Sequence, residues 1–227
     1  MTTKEKGNHN ELEVEQVVSK IEQFVETNSK KIVYGIIAIV VVVGAFLGMR
    51  YGYFNPKEEK ANAAMFRGEQ YFAQDSFALA LNGNGTDFEG FEAIIKNYSG
   101  TDAANLAKAY AGVCYFQLGE NEKALETLKS FNGKDNMISP AITGLIGDCY
   151  VNMGNVKEGI KYFEKAAKEA NNEVISPAYL LKAGKAYESL NEYDNAVKAY
   201  KSIKENYNTS VEAATIDKYI DRAASKN

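Results

Sequence analysis

The longest apolar stretch of the chain runs from Ile32 to Met49 and contains no charged residue. Lys30 and Lys31 precede it, and Arg50 follows it. As a helix it would be roughly 27 Å long, close to the thickness of the hydrocarbon core of a bilayer. Because backbone polar groups in lipid must bond to one another, the pattern predicts one membrane-spanning helix, which the cationic flanks favour over a buried core helix. The run follows a charged tail and exceeds the apolar region of a cleavable signal, so we expect the anchor to stay attached.

The segment before the span has apolar residues at helical spacing from Leu12 to Val25, with glutamates outside that stripe. This periodicity predicts an amphipathic helix within a tail of residues 1–29. Helices that lie on membranes usually carry Lys and Arg on the polar face, whereas this one carries mostly Glu. Docking against a protein partner and lying on the membrane surface therefore both stay open.

Basic residues are nearly balanced between the two sides of the span, so charge alone orients the helix weakly. The adjacent Lys30 and Lys31, against the single Arg50, favour an N-terminus inside the cell. The span and its flanks take up residues 30–55, and Pro56 predicts a break in the helix after them.

Three glycines of the span region, Gly44, Gly48 and Gly52, are spaced by four and form two overlapping GxxxG patterns. Small residues on one face of a membrane helix let a second helix approach closely. The pattern predicts a membrane-helix contact at these glycines, either with another protein or through self-association.

Residues 56–227 form the remaining domain, in which a pattern of small and bulky residues repeats. Each copy has Gly-x-x-Tyr, then Gly or Asn four residues after the tyrosine, then a small residue, then a bulky one. The first glycines of the copies, here called the frame glycines, are separated by 35 and 37 residues. The three copies are Gly112, Tyr115, Gly119, Ala124 and Leu128; Gly147, Tyr150, Gly154, Gly159 and Phe163; and Gly184, Tyr187, Asn191, Ala196 and Tyr200.

This frame has a physical interpretation as two packed helices. The frame glycine allows a close contact between the helices, and the later Gly or Asn ends the first helix in a left-handed conformation. The second small residue then packs into the first helix. Ser139-Pro140 and Ser176-Pro177 predict helix starts with an N-cap serine and a proline in the first turn.

The frame resembles the tetratricopeptide repeat, whose unit of about 34 residues is a helical hairpin. The resemblance implies an all-α fold, with a single transmembrane helix followed by a TPR-like α-solenoid of helical hairpins. A degenerate earlier unit is expected at Gly68 and Tyr71, with its second helix over 88–97 after an interruption at 81–88. Residues 210–223 predict a capping helix, whose inner side would carry Val211, Ala214, Ile216, Tyr219 and Ile220.

The sequence contains no constellation of residues for catalysis, for a cofactor or for a metal ion. The only histidine is His9, in the polar tail, and no phosphate-binding glycine loop is found. Cys114 and Cys149 occupy the same slot of successive repeats, and helices about 8–10 Å apart would strain a disulfide between them. We therefore expect both to be buried small residues. The net charge is −4 and the negative surplus follows the span, which argues against nucleic acid as the partner.

The whole layout resembles the YfgM-type ancillary subunit of the bacterial Sec translocon. The shared features are an amphipathic tail, a membrane helix ending in GAFLGMRYGYF (44–54), and a last helix that carries Tyr207, Ser210, Glu212, Ala213 and Ala214. The resemblance implies an inner-membrane protein with periplasmic repeats, which contacts translocating polypeptides or periplasmic chaperones. A repeat adaptor for envelope or outer-membrane protein assembly, a regulator of envelope stress signalling and a scaffold facing the cytosol stay open.

The resemblance also predicts a polypeptide-binding face, because the first helix of each pair lines the concave side of such repeats. The residues one and four places after each frame glycine should point into it. They are Glu69, Phe72, Val113, Phe116, Asp148, Val151, Lys185 and Glu188. Their order, from apolar to charged, suits an extended or amphipathic polypeptide with one apolar edge. The alternative for Phe72 and Phe116 is that they pack under a loop or the terminal helix.

Overall fold

The structure is a computed structural model that describes the backbone of residues 4–226 and the side chains of residues 19, 20 and 23–226. This described part consists of helices and turns and contains no β-strand. The predicted all-α class is therefore confirmed. The chain divides into two compact units, Met1–Pro56 and Lys57–Asn227.

The first unit is dominated by one helix, α1 (Lys4–Met49), which includes both the tail and the apolar run. Among the described residues, one helical stretch, Gln23–Ala73, is long and apolar enough to cross a membrane by length and composition. The side chains of its apolar window are not buried within the protein. Most side chains of the stripe that begins at Leu12, and that of His9, lie outside the described residues.

The α-helix is interrupted near Pro56, as predicted, but the interruption is a π-helical turn before the proline and not a loop. A π-helical turn, Arg50–Phe54, follows α1, and α2 (Asn55–Ala73) begins directly after it. Pro56 thus lies in the first turn of a helix. Because a proline ring crowds the carbonyl four residues before it, the wider π turn accommodates it without a loop.

The second unit is a succession of helical hairpins. Its first helices are α2, α5, α7 and α9, and each is followed by a second helix, which is split in two in the first pair. The bounds after α2 are α3 (Phe77–Asn82), α4 (Phe91–Asn97), α5 (Asp102–Gln117), α6 (Asn121–Lys129), α7 (Ile138–Asn152), α8 (Val156–Ala170), α9 (Ser176–Ser189), α10 (Tyr193–Asn206) and α11 (Ile216–Ala224).

The predicted close contact at the frame glycines is confirmed. A Cβ placed on any of the three would lie closer than 3.0 Å to the bulky side chain of the second helix. The second small residue is buried in each pair, and Gly159 lies against the backbone of Gly147. The contacting pairs are Gly112 with Leu128, Gly147 with Phe163, and Gly184 with Tyr200.

The left-handed end of each first helix is also confirmed. Gly119, Gly154 and Asn191 have φ angles of 80°, 80° and 60°. After Gly119, the amide of Glu120 donates to the carbonyl of Tyr115 at 2.9 Å, and the other two ends make the same bond. This arrangement is a Schellman motif, which satisfies the last carbonyls of the helix.

The earlier unit predicted at Gly68 and Tyr71 is present. Asp75 occupies its cap slot with a φ of 56°. A Cβ at Gly68 would lie 2.5 Å from the ring of Phe91, so Phe91 is its bulky partner. Ala80, which is fully buried, takes the slot of the second small residue.

The second helix of this unit differs from the predicted 88–97, because a loop of residues 83–90 splits it into α3 and α4. We call this loop the insertion. Asn84 organises it, since its Oδ1 accepts the amides of Thr86, Asp87 and Phe88 at 3.1, 3.2 and 3.1 Å. Gly68 lies 44 residues before Gly112, and this longer step is thus due to a loop inserted into a helix whose two parts keep the packing residues.

The frame tyrosines join successive pairs through polar groups of the preceding second helix. Tyr115 donates to Glu92, Tyr150 accepts from Lys129 at 2.6 Å, and Tyr187 donates to Glu164 at 2.8 Å. Tyr71, in the first pair, accepts instead from Asn84 of the insertion at 2.9 Å. The insertion therefore closes this end of the stack with the contact that a second helix supplies elsewhere.

The N-cap serines predicted at Ser139 and Ser176 are wrong, because both residues lie within the first turn of their helices. The capping acceptors come earlier in the chain. Asp135 Oδ1 accepts the amides two and three residues later at 2.8 and 2.5 Å. Asn172 Oδ1 does the same at 3.0 and 2.8 Å. Ser176 is buried instead and donates to the carbonyl of Ala167 at 2.7 Å.

The last helix, α11, starts later than predicted, after a 3-10 turn. Ile216 and Ala223 are buried in its contact with α10. Val211 and Ala214 precede the helix and are exposed, so the prediction that they lie on its inner side is wrong. The outward-facing residues of α11 are polar, as a terminal helix of a repeat stack requires.

Cys114 and Cys149 are buried thiols without a disulfide, as expected. Burial raises the pKa of the Cys114 thiol to about 12. Burial, with the nearby Asp148 charge, raises that of Cys149 to about 11. Both thiols therefore stay protonated and unreactive at neutral pH.

The close contact at the frame glycines makes a testable prediction. Gly112→Ala should destabilise the fold by about 1–3 kcal/mol, because the added methyl group would overlap Leu128. Gln117→Ala, at an exposed position of the same helix, should change stability by less than about 0.5 kcal/mol. Urea unfolding measures both values, and equal stabilities would contradict the contact.

Candidate functional site

The predicted binding residues lie on the first helices, and several of them contact the next first helix in the stack. Their equivalent positions in the repeats, with contacts between α2 and α5, between α7 and α9, and between α9 and α11, define a row across α2, α5, α7, α9 and α11, which we call the first-helix strip. It consists of the eight predicted residues and six others, namely Phe66, Tyr110, Leu145, Lys182, Tyr219 and Arg222.

The part of the strip nearest α2 is aromatic. The ring of Phe72 lies edge-on to Tyr110, with centroids 5.0 Å apart, and also to Phe77 at 5.6 Å. The hydroxyl of Tyr110 bonds to Glu69. Burial, reinforced by the Glu69 charge, raises the pKa of Tyr110. Phe72 is thus half-buried within the packing between α2 and α5.

The middle of the strip is aliphatic and aromatic, and its side chains are half-buried. Phe116 packs against the core cluster of the first repeats, and Val113 is exposed to a similar degree. Val151 points toward its own second helix, since a Cβ at Gly159 would lie 2.5 Å from it. These residues therefore combine packing roles with partial exposure.

The last part of the strip is charged, and its charges are paired between helices. Lys182 Nζ lies 2.6 Å from Asp148 Oδ2 and also over the rings of Phe163 and Tyr179. Lys185 Nζ lies 5.5 Å from the ring centroid of Tyr219. Both cations are thus held by groups of the protein itself.

Glu188 forms a polar cluster at the α11 end of the strip. Arg222 of α11 donates to both of its oxygens, at 2.7 and 3.1 Å, and Tyr200 donates to Oε1 at 2.7 Å. Burial alone would raise the pKa of Glu188, but the hydrogen bonds from Arg222 and Tyr200 lower it below its ordinary value. This cluster fixes α11 on α9.

The residues two places before Gly68 and each frame glycine were not predicted as site residues, although the same repeat spacing identifies them. Phe66, Tyr110, Leu145 and Lys182 occupy this position. Tyr110 and Lys182 receive the contacts of the preceding first helix. Phe66 has no preceding first helix within its unit, and 60% of its surface is exposed. An aromatic side chain is therefore open to solvent at the α2 end of the strip.

The predicted membrane-helix contact involves a separate part of the chain. Gly44, Gly48 and Gly52 lie on α1 or the π turn, and no atom lies within 4 Å of a Cβ built on any of them. The surface around these glycines is thus open within the first unit. The contact itself stays a prediction.

Comparisons with known proteins agree with the fold. Two family models, both described as tetratricopeptide repeat, match residues 110–134 and 178–210, and residues 144–173. Among solved structures, MamA aligns with a TM-score of 0.52 and 20% identity, over 74% of this chain and 92% of MamA. A protein described as a kinesin light chain of Podosopora anserina, with nearly identical TPR-like repeats, aligns with a TM-score of 0.51 and 13% identity, over 77% and 86%. No curated protein sequence gives a significant match. At these identities the structural likeness shows the fold alone.

The Glu188 cluster makes stability depend on pH. A carboxyl whose pKa is lower in the folded state contributes stability above its unfolded pKa of about 4.3, and loses it as pH falls through the folded value. Glu188→Gln should cost about 1–3 kcal/mol at neutral pH, and less in acid. Glu205→Gln, at an exposed position on α10, is the control. Thermal melts from pH 7 to pH 3 measure the difference, and a constant difference between wild type and Glu188→Gln would contradict this role.

Proposed function

Since the chain carries tetratricopeptide repeats, which bind other proteins, we propose that it is a membrane-anchored interaction module whose first-helix strip binds a polypeptide. The observation that carries this proposal is the polarity of the strip. Its charges are already paired near α11, whereas aromatic surface stays open near α2. A polypeptide segment with one apolar edge suits this distribution.

Within the strip, Phe66 is the residue best suited to contact a partner. It is exposed, whereas Phe72 and Phe116 are partly buried by packing. Exposed aromatic side chains beside a packed surface are typical anchors of protein interfaces. The eight residues predicted from the repeat frame, together with Phe66, therefore form the proposed partner-binding site.

The anchor gives this module a proposed location. Residues 1–29 form a cytoplasmic tail, residues 30–55 span the inner membrane, and residues 56–227 lie in the periplasm. The apolar helix supports the anchoring, and the Lys30-Lys31 flank supports the orientation. Gly44, Gly48 and Gly52 provide the proposed contact with another membrane helix.

The proposed partner is the Sec translocon with the polypeptides or periplasmic chaperones at its exit. This choice rests on the layout shared with YfgM-type subunits, with one anchor followed by repeats. The family and structure matches support an interaction module only. If the chain co-purifies instead with components of envelope or outer-membrane protein assembly, or of a stress-signalling pathway, those components are its partner and the translocon is not.

Partner capture is the direct test of the strip. Phe66→Ser in the full chain should leave the melting temperature within about 2 °C of wild type, because an exposed side chain contributes little to stability. It should lower the yield of co-purified partner in mild detergent, since the apolar anchor of the interface is removed.

Leu118→Ser is the matched control, because Leu118 is also an exposed apolar residue of the second unit but lies at the C-terminal end of α5, outside the strip. It should change neither stability nor capture. Undiminished capture by Phe66→Ser, or an equal loss with both variants, would contradict binding at the strip.

Topology has its own test. Lys157→Cys places a thiol at an exposed position near the start of α8, while the buried native cysteines stay unlabelled in the parent chain. A membrane-impermeant maleimide should label this variant in intact spheroplasts, because the repeats face the periplasm. Labelling that appears only after lysis would reverse the orientation.

A further inference from the structure

Exposed aliphatic side chains recur at one edge of the repeats. Met137, Val174 and Val211 are spaced by 37 residues and lie in the turns that precede α7, α9 and α11. Their exposed fractions are 54%, 71% and 86%, and that of the adjacent Ile138 is 48%. Solitary exposed aliphatic residues are ordinary, but a set at the repeat period on one edge is a surface feature.

Hydrogen bonds within the second unit show that these turns share an edge with the start of α2. Glu58, in the first turn of α2, accepts the amides of Asp102 and Ala103 at 2.7 and 2.9 Å. Asn105 then exchanges two bonds with Asn132, at 2.8 and 3.0 Å.

The same edge continues toward the end of the chain. Asn172 donates to the carbonyl of Asn136, and Tyr207 to Asn171, both at 3.5 Å. We call the edge formed by the starts of α2, α5, α7, α9 and α11 the N-terminal edge.

The turns hold their aliphatic residues outward by local bonds. Asp135 and Asn172 accept the amides of Met137 and Val174 themselves, at 2.8 and 3.0 Å. Next to Val211, Ser210 accepts the amide of Ala213 at 3.2 Å. The protruding side chains are thus presented on fixed turns and do not fold back onto the core.

We propose that the N-terminal edge rests on the surface of the bilayer that anchors the chain, with Met137, Ile138, Val174 and Val211 inserted among the lipids. The proposal depends on the membrane anchoring proposed above. The chain enters the second unit at the start of α2, so the tether from the apolar helix attaches to this edge. A tether raises the effective concentration of the bilayer at the edge to which it is joined.

Chemistry also favours lipid over a protein partner. The four side chains lie on three separate turns, whereas interface anchors sit in packed clusters. The strength of membrane-surface binding grows with the apolar area that is buried, and basic residues add to it when the lipids are anionic. The exposed charges beside these residues are mainly acidic, with Asp135 and Glu173 against Lys134, so charge attraction to anionic lipids would contribute little. Neutral headgroups therefore suffice, and added salt should not release the edge.

Lipid quenching of a fluorophore tests the contact in the full chain. Val174→Cys and Lys157→Cys, labelled with an environment-sensitive dye, are reconstituted into phosphatidylcholine vesicles. Lys157 is exposed near the start of α8, at the other ends of the first helices. A lipid-borne quencher should reduce emission at position 174, with a blue shift, and leave position 157 unchanged.

Further variants and conditions separate the possible outcomes. Adding Met137→Ser and Val211→Ser should weaken quenching at 174 without lowering the melting temperature. Persistent quenching in that variant, or none at 174 in fully inserted protein, overturns the proposal.

A blue shift without lipid quenching that disappears at low protein-to-lipid ratio assigns the edge to a second copy and also overturns it. Resistance to alkaline extraction reports insertion separately, so failed anchoring is distinguishable from a failed edge contact.

Discussion

The close approach of two helices at each frame glycine is the constraint on which the repeat unit depends. Where a side chain is absent, the facing helix can place a Leu, Phe or Tyr directly against the backbone. This contact sets the distance between the helices of a pair. The frame tyrosine, about one turn later on the same helix, bonds to the preceding pair. Two positions of one helix therefore determine packing within a pair and between pairs.

In the first pair, the close contact at the glycine is kept although the second helix is split by a loop. The insertion divides the second helix, yet Ala80 before it and Phe91 after it still occupy the buried positions around Gly68. The loop is ordered by Asn84 and gives Tyr71 a polar partner. The insertion, which interrupts the repeat pattern in the sequence, thus provides the polar contact for Tyr71 at the end of the stack, where the second unit has no preceding pair.

The sequence predicted those features that depend on neighbours within one helical pair. Glycine spacing, left-handed caps and buried cysteines follow from local periodicity, and all were found. Asp75 was missed as a cap because an aspartate adopts positive φ less often than Gly or Asn. The capping role of Asp135 was missed because the acceptor lies three residues before the helix. Pairings such as Asp148 with Lys182 depend on the offset between successive helices, which no local pattern specifies. The exposure of Phe66 likewise follows from its place at the end of the stack.

The two proposed surfaces use different parts of the same repeat. The strip is formed by first-helix side chains around the frame glycines, whereas the N-terminal edge is formed by the turns before those helices. The ion pair between Glu188 and Arg222 holds α9 and α11 together at this end of the strip. Separating the two residues would leave a largely buried carboxylate without its donor. Among the described aromatic residues of the strip, the most exposed is Phe66, on α2. A polypeptide bound at the strip would therefore find its exposed apolar contact on α2, at the opposite end of the strip from the ion pair between Glu188 and Arg222.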